Sequence, residues 1–201
     1  MNSNYLYEYA NEFERVLSTG YQYHYSTLTI EKLIARSSYF QKIETDSYNS
    51  APIIQDSDLI KQLFSELNIN LLELPVYNQC LWAAEAYLRI QGESKLSFEC
   101  IFLYIPLTKM YELFPLYHEM DFSHIVKYFN ELYEKESVLS ILLQRYDYSL
   151  KEIAEKIDIP YDTLYSFKQR RRDIKKYNIE DVLKLSRIFD VRVETITETR
   201  I

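Results

Sequence analysis

Only two of the 201 residues are glycine, Gly20 and Gly92, and this scarcity narrows what the chain can fold into more than any other feature. A backbone that turns through positive φ is cheap where no Cβ is present, so an all-β fold with many tight hairpins is disfavoured. Helices joined by polar loops are favoured instead, and five prolines are too few to interrupt them often. The same count excludes the phosphate-cradling loops GxGxxG and GxxxxGK[ST], whose glycines let the backbone approach the phosphates.

Apolar residues make up 47% of the chain and charged residues 26%, a balance typical of a globular protein with its own core. The longest apolar run, residues 100–107, is far too short for a bilayer. The opening MNSNYLYEYANEFERV has neither a basic n-region nor an apolar h-region, so a cytoplasmic protein with no membrane partner is expected. Cys80 and Cys100 lie in apolar helical patterns without the spacing of a disulfide framework or a CxxC metal site. Both are expected to be buried free thiols.

Residues 1–136 read as successive amphipathic helices. Ile30, Leu33, Ile34 and Ser37 follow the i, i+3, i+4, i+7 pattern, and Leu59, Ile60, Leu63 and Leu67 repeat it. Further stripes are Tyr77, Leu81, Ala84 and Leu88; Phe98, Ile101, Phe102 and Ile105, ended or kinked by Pro106; Met110, Leu113, Phe114 and Tyr117; and Ile125, Phe129 and Leu132. Only residues 21–25 alternate as a short strand would, and residues 44–58, rich in Ser, Asp and Asn, read as a loop. The run EKES at residues 134–137 is either a boundary between two domains or part of one continuous helix.

The net charge of −7 hides an asymmetry. Residues 1–136 hold 10 basic and 19 acidic side chains, net −9, and residues 137–201 hold 13 basic and 11 acidic, net +2. Lys168, Arg170, Arg171, Arg172, Lys175 and Lys176 cluster around one acid, Asp173. One local cationic segment on an acidic protein points to one anionic ligand site, and these six side chains are the candidate phosphate contacts.

That cluster follows a compact helical pattern. Ser149 and Glu152 form a capping box before a short helix, residues 150–156, with Ile153 and Ala154 inward. Ile157-Asp158-Ile159 makes a turn with two apolar anchors around a residue that tolerates positive φ. A second helix begins near Pro160. Leu164 and Phe167 face inward, leaving Tyr161, Asp162, Tyr165, Ser166 and Gln169 outward. Asn178 caps a further helix with Val182, Leu183, Leu185 and Ile188 on its apolar face; Phe189, Val191, Val193 and Ile196 close the unit.

The S-x-x-E-I-A start, I-x-I across the turn, T-L-Y-x-F in the second helix and the closing LKLSRIFDVRVETI resemble the lambda-repressor-like (Cro-like, XRE) helix-turn-helix family over residues 137–196. The resemblance implies that residues 160–168 are a recognition helix, with Tyr161, Asp162, Tyr165 and Ser166 nearest the base edges of double-stranded DNA and the adjoining Gln169 a fifth candidate base reader. It also implies binding as a homodimer. Three positions depart from the family: Asp158 for a turn glycine, Leu150 for a phosphate-contacting glutamine, and Arg170 for the glycine that commonly ends the recognition helix. The last would let that helix run on into Arg170, Arg171 and Arg172.

The expected fold is all-α, a helical domain over residues 1–136 followed by a helix-turn-helix domain over residues 137–201. The expected function is sequence-specific transcriptional regulation, with residues 1–136 serving dimerisation, small-molecule sensing or partner binding. The alternative is an acidic inhibitor of a nucleic-acid-binding protein whose helix-turn-helix only regulates its own gene. The spacing of His118, Glu119, Asp121 and His124 is not that of a zinc motif, and Asp121 reads as a helix cap. No serine or cysteine sits in an active-site signature, so no enzyme, cofactor or metal is expected. The 20 tyrosines, scattered through amphipathic patterns, read as packing residues.

Overall fold

A computed structural model describes residues 3–45, 56–64 and 77–200, and among these no strand occurs. The chain is all-α. Four helices, α1 (Ser3–Gln22), α2 (Thr27–Arg36), α3 (Ser38–Thr45) and α4 (Asp56–Leu63), precede α5 (Asn78–Ser94), α6 (Phe98–Tyr104), α7 (Leu107–Tyr117) and α8 (Ser123–Lys135). The C-terminal part consists of α9 (Val138–Arg145), α10 (Leu150–Ile157), α11 (Tyr161–Lys168), a 3-10 turn at Ile174–Lys176, α12 (Ile179–Phe189) and α13 (Val193–Ile196). None of the described helices is long and apolar enough to cross a membrane.

The apolar stripes point where their period requires. Helix α5 is central, with α1 along one side and α6, α7 and α8 packed around it. Phe13, Phe40, Tyr87, Phe98 and Phe102 form its aromatic centre, with Phe13 and Phe40 4.8 Å apart between ring centroids and Tyr87 and Phe102 4.9 Å apart. The Tyr87 hydroxyl donates to the Ile105 carbonyl at 2.9 Å, so the ring is buried without an orphaned polar atom. Pro106, which cannot donate, ends α6 and opens α7. Cys80 and Cys100 are buried free thiols. Leu67 and residues 46–55 of the expected loop lie outside the described residues.

Three local expectations change in the structure. Residues 21–25 are not a strand: α1 continues to Gln22 and is closed by a turn at His24. Glu44, assigned from sequence to a loop, is a buried residue in the last turn of α3. At EKES the helix breaks, because Glu136 is extended and the Ser137 hydroxyl accepts from the Ser140 amide to start α9. The break does not free the C-terminal helices, since one hydrophobic core runs through both parts.

Helix ends carry the imprint of missing glycine. Among the described residues, seven that are not glycine have φ between 49° and 60°. At His24, Asp147, Arg170, Asp190 and Glu198 the residue donates to the carbonyl three back and its successor to the carbonyl five back, the Schellman arrangement usually closed by glycine. Both glycines lie inside helices instead, Gly20 in α1 and Gly92 in α5. At Gly20 a Cβ would stand 2.3 Å from Ile30 Cδ1, so glycine there permits close crossing of α1 and α2.

Helix beginnings are held by glutamates from distant parts of the chain. Glu31 accepts from the Leu107 amide at 2.6 Å, Glu44 from Phe98 at 2.6 Å, and Glu198 from Val138 at 3.0 Å; these are the first residues of α7, α6 and α9. Each supplies a negative charge to donors that the helix itself cannot satisfy. Burial works against the charge and pushes the Glu31 carboxyl above the usual carboxylate range, with the Leu107 amide and Arg145 offsetting part of it.

Two outcomes are expected. Asp147→Gly should raise stability by about 0.5 kcal/mol, because Asp147 has positive φ and is exposed; a lowered urea midpoint would contradict this. Glu14 is buried on α1, and burial raises its carboxyl above the ordinary range despite Ser18. Its folded pKa therefore exceeds its unfolded one, and its contribution is fully present below the unfolded value of about 4.3 and lost as pH rises through the folded value. Glu14→Gln should stabilise the protein at neutral pH and flatten that decline, read from urea midpoints across pH 4–8.

Candidate nucleic-acid interface

Helix α10 starts at a complete capping box: the Ser149 hydroxyl accepts from the Glu152 amide at 3.2 Å and the Glu152 carboxylate from the Ser149 amide at 2.7 Å. Leu150, Ile153 and Ile157 face the core, and Ala154 is half-buried. Asp158 takes φ 53° and ψ 50°, letting the Ile159 amide return to the Ala154 carbonyl at 3.2 Å. Ile157 and Ile159 are both buried, so the turn is anchored from either side of the aspartate.

Helix α11 buries Thr163, Leu164 and Phe167. The opposite face carries Tyr161, 49% exposed, Tyr165, 39% exposed, and the exposed Asp162 and Gln169. The two tyrosine rings are nearly parallel, 14° apart with centroids 6.1 Å apart. Ser166 is half-buried, and its hydroxyl donates to the Asp162 carbonyl at 2.7 Å, which leaves it only acceptor capacity for a ligand. All five residues singled out from sequence as base readers therefore lie on or beside one face, four of them open to solvent.

The cationic segment does not continue the helix. Helix α11 ends at Lys168, Gln169 is its cap, and Arg170 adopts φ 51°. The Arg170 amide donates to Phe167 at 2.9 Å and the Arg171 amide to Ser166 at 2.8 Å, so the chain reverses where sequence suggested an extension. Asp173 then caps the 3-10 turn by accepting from the Lys175 amide at 3.0 Å. Arg171, Arg172, Lys175 and Lys176 are exposed and Lys168 half-buried. The Arg171 guanidinium lies 5.8 Å from the Tyr165 ring centroid, joining the cations to the tyrosine face.

Arg170 departs from this group. Its guanidinium donates to the Tyr133 carbonyl, to the Tyr104 hydroxyl at 3.0 Å and to Glu198 at 2.9 Å, and it sits 4.5 Å over the Tyr133 ring. Burial raises the Tyr104 phenol far above its ordinary pKa, so it stays neutral, accepting from Arg170 and donating to the Glu136 carbonyl at 2.9 Å. The side chain tethers the end of α11 to α6, α8 and the C-terminal tail, with three of its five N–H donors used within the protein.

A second tether escaped sequence reading entirely. Arg192, which precedes α13, forms a two-pronged pair with Glu44 at 3.0 Å on each nitrogen, and its amide donates to Glu99 at 2.7 Å. Lys32 and Arg36 of α2 hold Asp190 at 3.0 and 2.7 Å. The Ser137 hydroxyl donates to the Lys168 carbonyl at 2.8 Å. The α11 surface is therefore presented from a fixed platform.

The histidine segment has a structural arrangement. His118 Nδ1 lies 2.9 Å from the Phe114 carbonyl with its ring stacked on Phe114, and Asp121 accepts from the Ser123 amide at 2.8 Å. Among the described residues no group of three or more metal-ligating side chains gathers. The chain matches no protein-family model, no curated protein and no solved structure.

Arg170→Ala should lower unfolding stability by about 1–2 kcal/mol, because it removes charged hydrogen bonds at a side chain one-third open to solvent, which screens them in part. Arg171→Ala and Lys176→Ala should each stay within about 0.5 kcal/mol of the parent. Equal effects from Arg170 and Arg171 would show that the tether carries no weight.

Proposed function

We propose that the protein is a sequence-specific transcriptional regulator that binds double-stranded DNA through α9–α13, with α10, the Asp158 turn and α11 acting as a helix-turn-helix of the lambda-repressor-like kind. The observation that carries this is the geometry of α11: Tyr161, Asp162, Tyr165 and Gln169 are exposed on one face, directly followed by exposed Arg171, Arg172, Lys175 and Lys176. A helix with polar and aromatic groups for base edges, flanked by long cations for phosphates, matches how such helices enter a major groove. We take the first eight helices as the platform, and two copies on half-sites one helical turn apart as the binding form. No catalytic role is assigned.

Selection from a random duplex library, followed by binding measurements on the enriched and a scrambled duplex, tests the proposal. With Arg170 engaged internally, the slope of log affinity on log salt should be about −4 per protomer. Tyr165→Ala or Gln169→Ala should cost about 1–3 kcal/mol on the enriched duplex and leave the scrambled one nearly unchanged. Lys176→Ala should weaken both equally and reduce the slope by about one. No enrichment, together with a flat salt response, would overturn the proposal.

A further inference from the structure

A cavity of about 400 Å³ opens between the ends of α8 and α11, the start of α9 and the C-terminal tail. Its size falls in the range of small-molecule sites. Leu139, Phe167 and Ile196, each at most 6% exposed, give it an apolar lining, and Arg172, Lys175 and Arg200 are exposed around it. Among the described residues no carboxylate lies within ion-pair distance of these three cations. The other charged groups of the lining are committed: Arg170 and Glu198 neutralise each other at 2.9 Å, and Asp173 accepts from the Lys175 amide. Four cations against two acids leave a net charge of +2 in the lining.

We propose that this cavity binds a small amphipathic organic anion, a flat or branched apolar body bearing one sulfonate, carboxylate or phosphate group. The half-buried Tyr133 and Ile174 in the same wall argue for the body, because inorganic phosphate alone would leave their apolar surface in water. The uncompensated cations argue for the acidic head, which gains charge-assisted hydrogen bonds without displacing an existing ion pair. Arg172 and Lys175 also belong to the cationic segment assigned above to DNA phosphates, so on that reading anion and duplex compete. A bound anion lowers DNA affinity, and DNA lowers anion affinity by the same factor.

The test uses the full chain with naphthalene-2-sulfonate and its neutral counterpart naphthalene-2-sulfonamide, titrated calorimetrically at low salt. The sulfonate is expected to bind one site per chain at least about tenfold more tightly than the sulfonamide, and the R172Q/K175Q double variant to remove that advantage. Both substituted side chains are exposed, so the variant should keep the parent's helical circular dichroism. Equal binding of the two probes, or sulfonate binding unchanged in the double variant, would overturn the site. In a second arm, saturating sulfonate should weaken duplex binding of the parent about five- to tenfold and that of the double variant less than twofold. Failure to bind duplex at any salt would sink the regulator proposal while the first arm still decides the anion site; equal weakening in parent and variant would overturn the competition.

Discussion

The structure depends on carboxylates that reach across the fold to helix beginnings and cations they were not born beside. Glu44 is the clearest case: one side chain, 2% exposed, satisfies the first amide of α6 and both nitrogens of the Arg192 fork. Taking such a pair out of water is costly, and it need not beat a well-packed apolar replacement. Removing one partner is different, since the other remains as a buried charge, a loss of about 3–5 kcal/mol. What the pair secures is position: α3, α6 and the residue that opens α13 cannot shift independently.

The same constraint explains how a broken helix can still give a fixed orientation. Between α8 and α9 the backbone is extended at Glu136, a place where two helical units could have swung apart. They are held instead by Arg170 on Tyr104 and Tyr133, Arg192 on Glu44 and Glu99, Asp190 on Lys32 and Arg36, and the Arg145 guanidinium on the Phe102 carbonyl at 3.0 Å. The exposed Asp190 pairs contribute little energy each, being open to solvent and salt. The buried pairs and the shared apolar core carry the orientation.

Glycine scarcity recurs at the other helix ends. A chain that closes its helices through His24, Asp147, Asp158, Arg170 and Asp190 accepts a small strain at each, least for aspartate, whose short side chain suits the left-handed region. In return these positions keep side chains. Two of them, Arg170 and Asp190, use those side chains to bind the C-terminal helices to the rest of the protein.

The sequence by itself determined the all-α class, the capping box at Ser149, the inward Leu164 and Phe167 of α11, and the turn at Asp158. These depend on interactions within four or five residues, and a 3.6-residue period or a cap motif encodes them locally. Residues 21–25 and the expected extension past Lys168 went the other way for a related reason. Alternation over five tyrosine-rich positions and a run of arginines are weak local signals, and the Schellman closures at His24 and Arg170 override them. Only the tertiary structure decided that Arg170 is a tether rather than a free cation, that Glu44 is buried, and that Arg172, Lys175 and Arg200 share a cavity. Those outcomes join residues as far as 148 positions apart, and no local pattern in one sequence carries the geometry that brings Arg192 to Glu44.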